Sequence, residues 1–283
     1  MKKFILILFP LLFSAQTHRF IFEFKFKSDS LSKEFRTENM VLDINPDEFK
    51  FYPYAYAEND SLGKVRNYKN IMWDDQLPAL KRNKNSYTNT SYILLNDFFS
   101  FQTEDKISWN LSNETKKSAQ YTLQKATTNF GGRKWTAWFS KEVNLSEGPY
   151  KFRGLPGLIF EIQDDQQNFI FSLVKSQKFK NTYDTSEFLE SFGGKKPIPI
   201  NEKVLLKKRM ELFNDPLRDF KEDFKKSNGA GKFSVLGIEV KSIEQFKELT
   251  ERFQEMMRKE NNPIEIDKAV KYPTKKRWLG KEI

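Results

Sequence analysis

Few residue types in this chain are equipped for bond-making chemistry. There is one histidine, His18, and there is no cysteine. Cys–His catalysis and a structural zinc site of the Cys/His kind are therefore excluded, and a buried Ser–His–Asp triad is not expected. If a leader were cleaved after Ala15, the new terminus Gln16-Thr17-His18 would offer an amine, two amides and an imidazole to copper(II). An incidental histidine is the plainer account. Paired acids remain, and glycoside hydrolysis needs two at a defined separation. Glu161, Asp164 and Asp165 are the local candidates. Glu161 alternates with Ile159 on one strand face, and the aspartates fall in the following turn, which suits a solvated edge equally well. No calcium loop of EF-hand spacing is present. We assign no catalytic residue, no cofactor and no metal ligand.

A different grouping suits recognition. Arg133, Trp135, Trp138, Tyr150 and Arg153 gather around one expected hairpin and the loop after it, with Phe152 and Leu155 beside them. Arginine and aromatic side chains together are the composition of a binding patch. The competing account is a tryptophan packed in the core with arginine stems laid over it. Trp135 and Trp138 fall on opposite faces of their strand, so they cannot share one environment.

The elements that must position these residues are mostly strands. Residues 19–27 read RFIFEFKFK, with Phe20, Phe22, Phe24 and Phe26 on one face and Glu23, Lys25 and Lys27 on the other. That is the period of a half-buried antiparallel strand. Further strands are expected at 40–44, 48–55, 92–101, 107–111 and 120–128. Asn45-Pro46-Asp47 and Ser112-Asn113-Glu114 serve as turns. Gly131-Gly132 signals a hairpin between 120–130 and 133–139. Strands at 158–163 and 168–175 follow, separated by 164–167. Residues 58–90 read as irregular, with room for a short helix.

Beyond 195 the period changes. Met210, Phe213, Leu217, Phe220 and Phe224 recur at helical spacing. Asp215-Pro216 divides them into two helices, with the aspartate expected as N-cap. Residues 228–231 are a stop. Ser242 and Gln245 form a capping box for a helix that buries Ile243, Phe246, Leu249, Phe253 and Met256. Asn262-Pro263 ends it, and the last twenty residues are expected to be basic and loosely ordered. Strands first and helices afterwards make this an α+β chain: a curved antiparallel sheet followed by C-terminal helices that cover one face. The expected divisions are 1–16, 17–195 and 196–283.

The first division reads as a secretory leader: Lys2 and Lys3, an apolar run over 4–13, then Ser14, Ala15 and Gln16. The run is shorter than the roughly 20 residues a membrane-spanning helix needs. No later stretch is long and apolar enough to span, so the mature chain is expected in the periplasm or secreted. The net charge of +10 favours an acidic envelope surface, although a basic, well-solvated exterior explains it as simply. Interspersed charges and the lack of a recognition motif argue against nucleic acid. Phenylalanine, 28 of 283 residues, predicts an aromatic core. Asp29-Ser30-Leu31 and Asp60-Ser61-Leu62 fit a three-residue O-glycosylation pattern of some didermal envelopes, a match that chance also explains.

Residues 148–162 read GPYKFRGLPGLIFEI. Leu155-Pro156-Gly157-Leu158 suits a type II turn, and the apolar loop should fold back onto the sheet. The string Gly154, Leu155, Pro156, Gly157, Leu158, Ile159 resembles the GLPGLI family of exported bacterial envelope proteins. The stretch 109–140, WNLSNETKKSAQYTLQKATTNFGGRKWTAWFS, is similar to the same family. The likeness is strongest over 105–165. The family brings no assigned activity. Many members carry cysteine where this chain has Leu123, and glycine where it has Gln120. A tyrosine-to-lysine-alanine strand followed by a tryptophan-rich one is also similar to LolA-type carriers, half-barrels closed by helices around an apolar cavity. These features imply an exported binding or accessory protein. It would capture an apolar or amphipathic partner against the concave sheet, with 148–158 as the rim. An adaptor docking flat on an envelope protein, or a carboxylate hydrolase, are the alternatives.

Overall fold

The computed structural model describes residues 16–66, 77–227, 233–235 and 237–274. Residues 1–15 of the expected leader over 1–16, the helix stop over 228–231 and the tail beyond 274 lie outside them.

Two meanders share one sheet. The first comprises β1 (Thr17–Phe26), β2 (Arg36–Ile44), β3 (Glu48–Pro53), β4 (Ala79–Asn83), β5 (Thr88–Leu94) and β6 (Phe98–Glu104). Helix α1 (Tyr54–Arg66) interrupts it after β3. The second comprises β7 (Asn110–Ser118), β8 (Tyr121–Phe130), β9 (Arg133–Ser140), β10 (Leu158–Asp164) and β11 (Phe169–Phe179). Antiparallel pairing of β1 with β11 joins them, from Thr17 opposite Phe179 to Phe26 opposite Phe169. A short β12 (Ile198–Ile200) adds to β6 in parallel. The order is β12-β6-β5-β4-β3-β2-β1-β11-β10-β9-β8-β7.

Connectivity forces this sheet to curl. In a flat sheet, β6 and β7 would lie about 48 Å apart at roughly 4.8 Å per strand. The backbone over 105–109 can bridge only about 20 Å at roughly 3.5 Å per residue. The two ends therefore approach without closing. Both edges are blunted: β12 is short, and β7, sequence NLSNETKKS, is almost wholly polar and solvent-facing.

The concave face carries the phenylalanine stripe of β1, with Phe20, Phe22, Phe24 and Phe26 all buried. The loop over 141–157 folds into this concavity. Its Tyr150, Phe152 and Leu155 join the same core as Trp135, Phe139 and Phe169, with the rings of Trp135 and Phe152 centred 4.6 Å apart. Behind β2–β5, Val41, Tyr52 and Tyr92 are covered by Tyr56 and Ala57 of α1 and by Phe188 and Leu189.

The helices are α2 (Glu202–Asn214), α3 (Arg218–Lys226) and α4 (Gln245–Lys259), with a hairpin of β13 (Phe233–Val235) and β14 (Ile238–Val240) between the last two. Leu217, Val235, Val240, Phe246 and Leu249 form their core. The chain is thus α+β, a curved, unclosed, mostly antiparallel sheet followed by helices.

Several local expectations differ from the structure. The apolar run 92–101 folds as a hairpin through 95–97, because Asn96 and Asp97 turn the chain inside it. Ser112-Asn113-Glu114 lies within β7 as an irregularity, and the turn is at Ala119, which takes positive φ. Residues 58–90 contain most of α1 and all of β4. Asp215 does not cap α3: Leu217 holds that position without a side-chain bond, and Asp215 pairs with Lys221 at 2.6 Å. The box at α4 is half formed, since Gln245 accepts from the Ser242 amide while Glu244 is the N-cap residue. Of the expected α4 stripe, Ile243 and Met256 are exposed. His18 lies within β1 opposite Ile44 and Lys178, so the adjoining amides belong to a sheet ladder and not to a free copper chelate.

Candidate functional site

Residues 261–270, of which the sequence predicts those from 264 onward to be loosely ordered, form a strap across the open end of the curled sheet. Asn262, Ile264, Glu265 and Val270 are buried. The β8–β9 hairpin receives the strap. Gly131 and Gly132 both take positive φ, at 62° and 77°, as a two-residue type I′ turn requires. A Cβ on Gly131 would lie 2.9 Å from Glu265, and one on Gly132 would lie 2.8 Å from Ile266. The turn therefore needs glycine twice over, for its dihedrals and for the strap.

Arg133 follows and spends its donor fork on that strap. Nε donates to the Ile264 carbonyl at 3.0 Å. Nη2 donates to the Asn262 side chain at 2.6 Å and the Pro263 carbonyl at 2.9 Å. Nη1 reaches Asp164 at 3.2 Å, and the guanidinium stacks on Phe169. Asn262 in turn donates to the Lys27 carbonyl at 2.6 Å.

An ionic chain continues from there, buried at Lys151 and Glu265 and reaching the surface at Lys268 and Glu202. Lys151 Nζ lies 2.7 Å from Glu265 and 3.0 Å from Asp105. The Tyr150 hydroxyl donates to the same Glu265 oxygen. Lys268 bridges Glu265 at 2.9 Å and Glu202 at 2.7 Å. Burial alone would raise the Glu265 carboxyl, but Lys151, Lys268 and the Tyr150 bond hold it below its ordinary value. Asp105 is likewise held down, by Lys151 and by donors from Thr103 and Asn89, against its burial. Burial, then the Glu265 charge, pushes the Tyr150 phenol well up. Glu147 differs: burial raises its carboxyl despite Arg82 and Arg153 alongside. Charges that each meet an opposite number in this way make a lock and leave no free acid or base.

Between this lock and α2 runs a groove of two lobes. One lobe, about 270 Å³, is lined by Phe101, Leu205, Leu206, Ile264 and Val270, with Tyr150 and Glu265 at its inner end. The other, also about 270 Å³, is lined by Leu212, Phe253, Met256, Met257 and Tyr272. Arg209, Asn261 and Pro263 border both.

The sequence-derived patch is brought together only in part. Arg133, Trp135, Tyr150, Phe152 and Leu155 are buried and touch one another or the strap. Trp138 sits on the outer sheet face under Lys116, 4.5 Å from its ring. Arg153 packs over Tyr87, donates to the Ser86 carbonyl at 2.6 Å and lies near Glu147. Within the motif, Gly154 and Pro156 face solvent, and Gly157, Leu158 and Ile159 are buried. The turn there is not type II. The Gly157 amide bonds the Leu155 carbonyl at 2.8 Å, and Leu158 bonds Val143 instead. Gly157 is required because its Cα nearly touches β9: a Cβ would lie 2.0 Å from the Ser140 carbonyl oxygen. Of the acids, Glu161 pairs with Lys116 at 2.5 Å and Asp164 is fully buried against Arg133. Ser30 is exposed beside an Asx turn of Asp29, and Ser61 is exposed while Asp60 is buried. Among the described residues no cluster of three His, Asp or Glu side chains could hold a metal, and no helix is long and apolar enough to cross a membrane.

Sequence reasoning did not reach Lys151, Asp105, Glu265 or Arg209. Only Arg209 left a trace, as a cation spaced four and three residues from Leu205 and Leu212 on the inner stripe of α2.

The family described as "Protein of unknown function (Porph_ging)" matches residues 131–161. That segment holds Gly131, Gly132, Arg133, Tyr150 and Lys151, the residues that receive the strap. No curated protein matches the sequence. Among solved structures, PNGF-II in space groups C2 and P21 is similar in fold, each with TM-score 0.51 and 14% identity over 69% of this chain. The match spans 32% and 34% of those chains, about a third of their length.

Proposed function

We propose that this chain is a non-catalytic binding protein acting outside the cytoplasm, and that it takes its ligand in the groove between α2 and the strap. The leader pattern over 1–16 and the GLPGLI string support an exported envelope protein. The observation that carries the binding site is a contrast within the molecule. The concave sheet face is filled by the chain's own Tyr150, Phe152, Leu155 and Ile264. The groove keeps unfilled volume, and its Leu206 and Met256 remain exposed. Concave, largely apolar sites with a few placed polar groups are where small ligands bind. Arg133 then serves the site from behind, by fixing the strap that forms one wall. Enzymatic hydrolysis finds no support in Glu161 and Asp164, which are committed to Lys116 and Arg133.

Native mass spectrometry of protein purified gently from its own envelope fraction, followed by organic extraction, tests this. A near-stoichiometric apolar ligand that disappears in Leu206→Trp is the expected result. A clean unliganded mass would favour the second reading, an adaptor docking on an envelope protein, which the solid aromatic core of the sheet also suits.

A further inference from the structure

We infer that the groove's ligand is a single-chain lipid carboxylate whose head pairs with Arg209 and whose tail lies in the lobe of Leu205, Leu206, Ile264 and Val270. The inference rests on the binding reading above and adds the chemistry of the ligand.

The argument is one of charge. Arg209 is half-buried on the inner face of α2 and borders both lobes. Among the described residues it meets no carboxylate, carbonyl or aromatic ring. The other charged side chains around the groove are engaged or peripheral. Glu202 and Glu265 share Lys268, and Glu260 pairs with Arg36 at 3.0 Å. Glu211, the acid nearest Arg209 on its own helix, pairs with Lys208 at 2.9 Å. Asp267 is exposed at the rim. Among the described residues at the groove, one cation is therefore left over, flanked by apolar walls. Removing an unpaired guanidinium from water is costly, and a carboxylate received by its planar fork offsets that cost bidentately. A carboxylate alone would ignore Leu206, exposed at 45%, and a neutral amphiphile would leave Arg209 unpaired. An acyl chain ending in a carboxylate meets both demands. Each lobe lies at the small end of ligand sites, which run from roughly 300 Å³ upward, so one chain fits better than a two-chain lipid.

Isothermal titration of the full chain with decanoic acid and with decan-1-ol separates the two levels of the claim. Wild type should bind decanoate about tenfold or more tightly than the alcohol, the order expected for one charge-assisted pair. Arg209→Gln should abolish that preference while leaving decanol affinity unchanged and without lowering the thermal midpoint, since among the described residues Arg209 has no partner to lose. Arg209→Lys should keep part of the preference, and Leu206→Trp should weaken both probes. Equal affinities in wild type, or an undiminished decanoate preference in Arg209→Gln, overturn the carboxylate and leave the groove standing. No binding of either probe by folded wild type overturns the groove and the carboxylate together.

Discussion

Replacing Arg133 by methionine separates a structural clamp from a surface recognition residue. Methionine keeps an apolar stem against Phe169, so what it removes is the guanidinium. Four hydrogen bonds go with it: three to the strap and one to Asp164. Asp164 is fully buried, and afterwards it retains only the Phe169 amide at 2.8 Å and a long contact to Asn168. Breaking one side of a buried ion pair costs roughly 3–5 kcal/mol. At a urea dependence near 3 kcal/mol per molar, that moves the midpoint down by about 1–1.7 M. Hydrogen exchange should speed at 262–267 before the β1–β11 ladder is affected. In a double-mutant cycle with Asp164→Asn, the pair should be less destabilised than the sum of the single changes. A midpoint shift worth less than about 0.5 kcal/mol, typical of surface substitutions, with unchanged exchange in the strap, would refute the clamp.

Three further outcomes follow from the same geometry. Gly132→Ala should lower the thermal midpoint more than Gly154→Ala: both sit at positive φ, costing about 1–2 kcal/mol, but only Gly132 also drives a methyl into Ile266. Gly157→Ala should yield little native protein by near-ultraviolet dichroism, since its Cβ meets the Ser140 backbone of a central strand. The third outcome concerns acid. Glu265 and Asp105 sit below their ordinary values of 4.5 and 3.8, so the unfolded chain binds their protons more tightly. Their stabilisation is full above about pH 4.5 and is lost as pH falls through the lower folded values. Glu147, raised by burial, works in the opposite sense as its proton returns. Denaturant midpoints from pH 6 to 3 should therefore fall less steeply in Glu265→Gln than in wild type. An equal slope would remove Glu265 from the acid response.

Legibility in the sequence divides along physical lines. Strands with strict alternation, such as β1, and turns with a steric signature, such as Gly131-Gly132, are local properties and could be read directly. The strap could not. Asn262-Pro263 reads as a helix end, and nothing nearby says that Ile264 and Glu265 will be buried by residues more than a hundred positions away. Arg133 and Tyr150 illustrate the converse. Their composition suggested recognition, and in the folded chain they do recognise something, namely the chain's own strap. The 92–101 run hid a turn because flanking apolar residues dominate its average. Lys151 went unnoticed since a lysine in a loop ordinarily faces water, and only the convergence of Asp105 and Glu265 makes its burial tolerable.

The pairing of β1 with β11 sets a timetable for the chain. β1 is made first, yet it occupies the middle of the sheet with one edge waiting for a strand about 150 residues later. At roughly 5–20 residues per second of synthesis, that edge stays unpaired for about 8–30 s, with four phenylalanines on one side of it. Such contacts of long separation form slowly and late. A chain that stops before β11 therefore presents an aromatic, half-paired strand, the template on which copies associate edge to edge. Nascent chains ending before residue 169 should sediment as aggregates, and those extending through 179 should not.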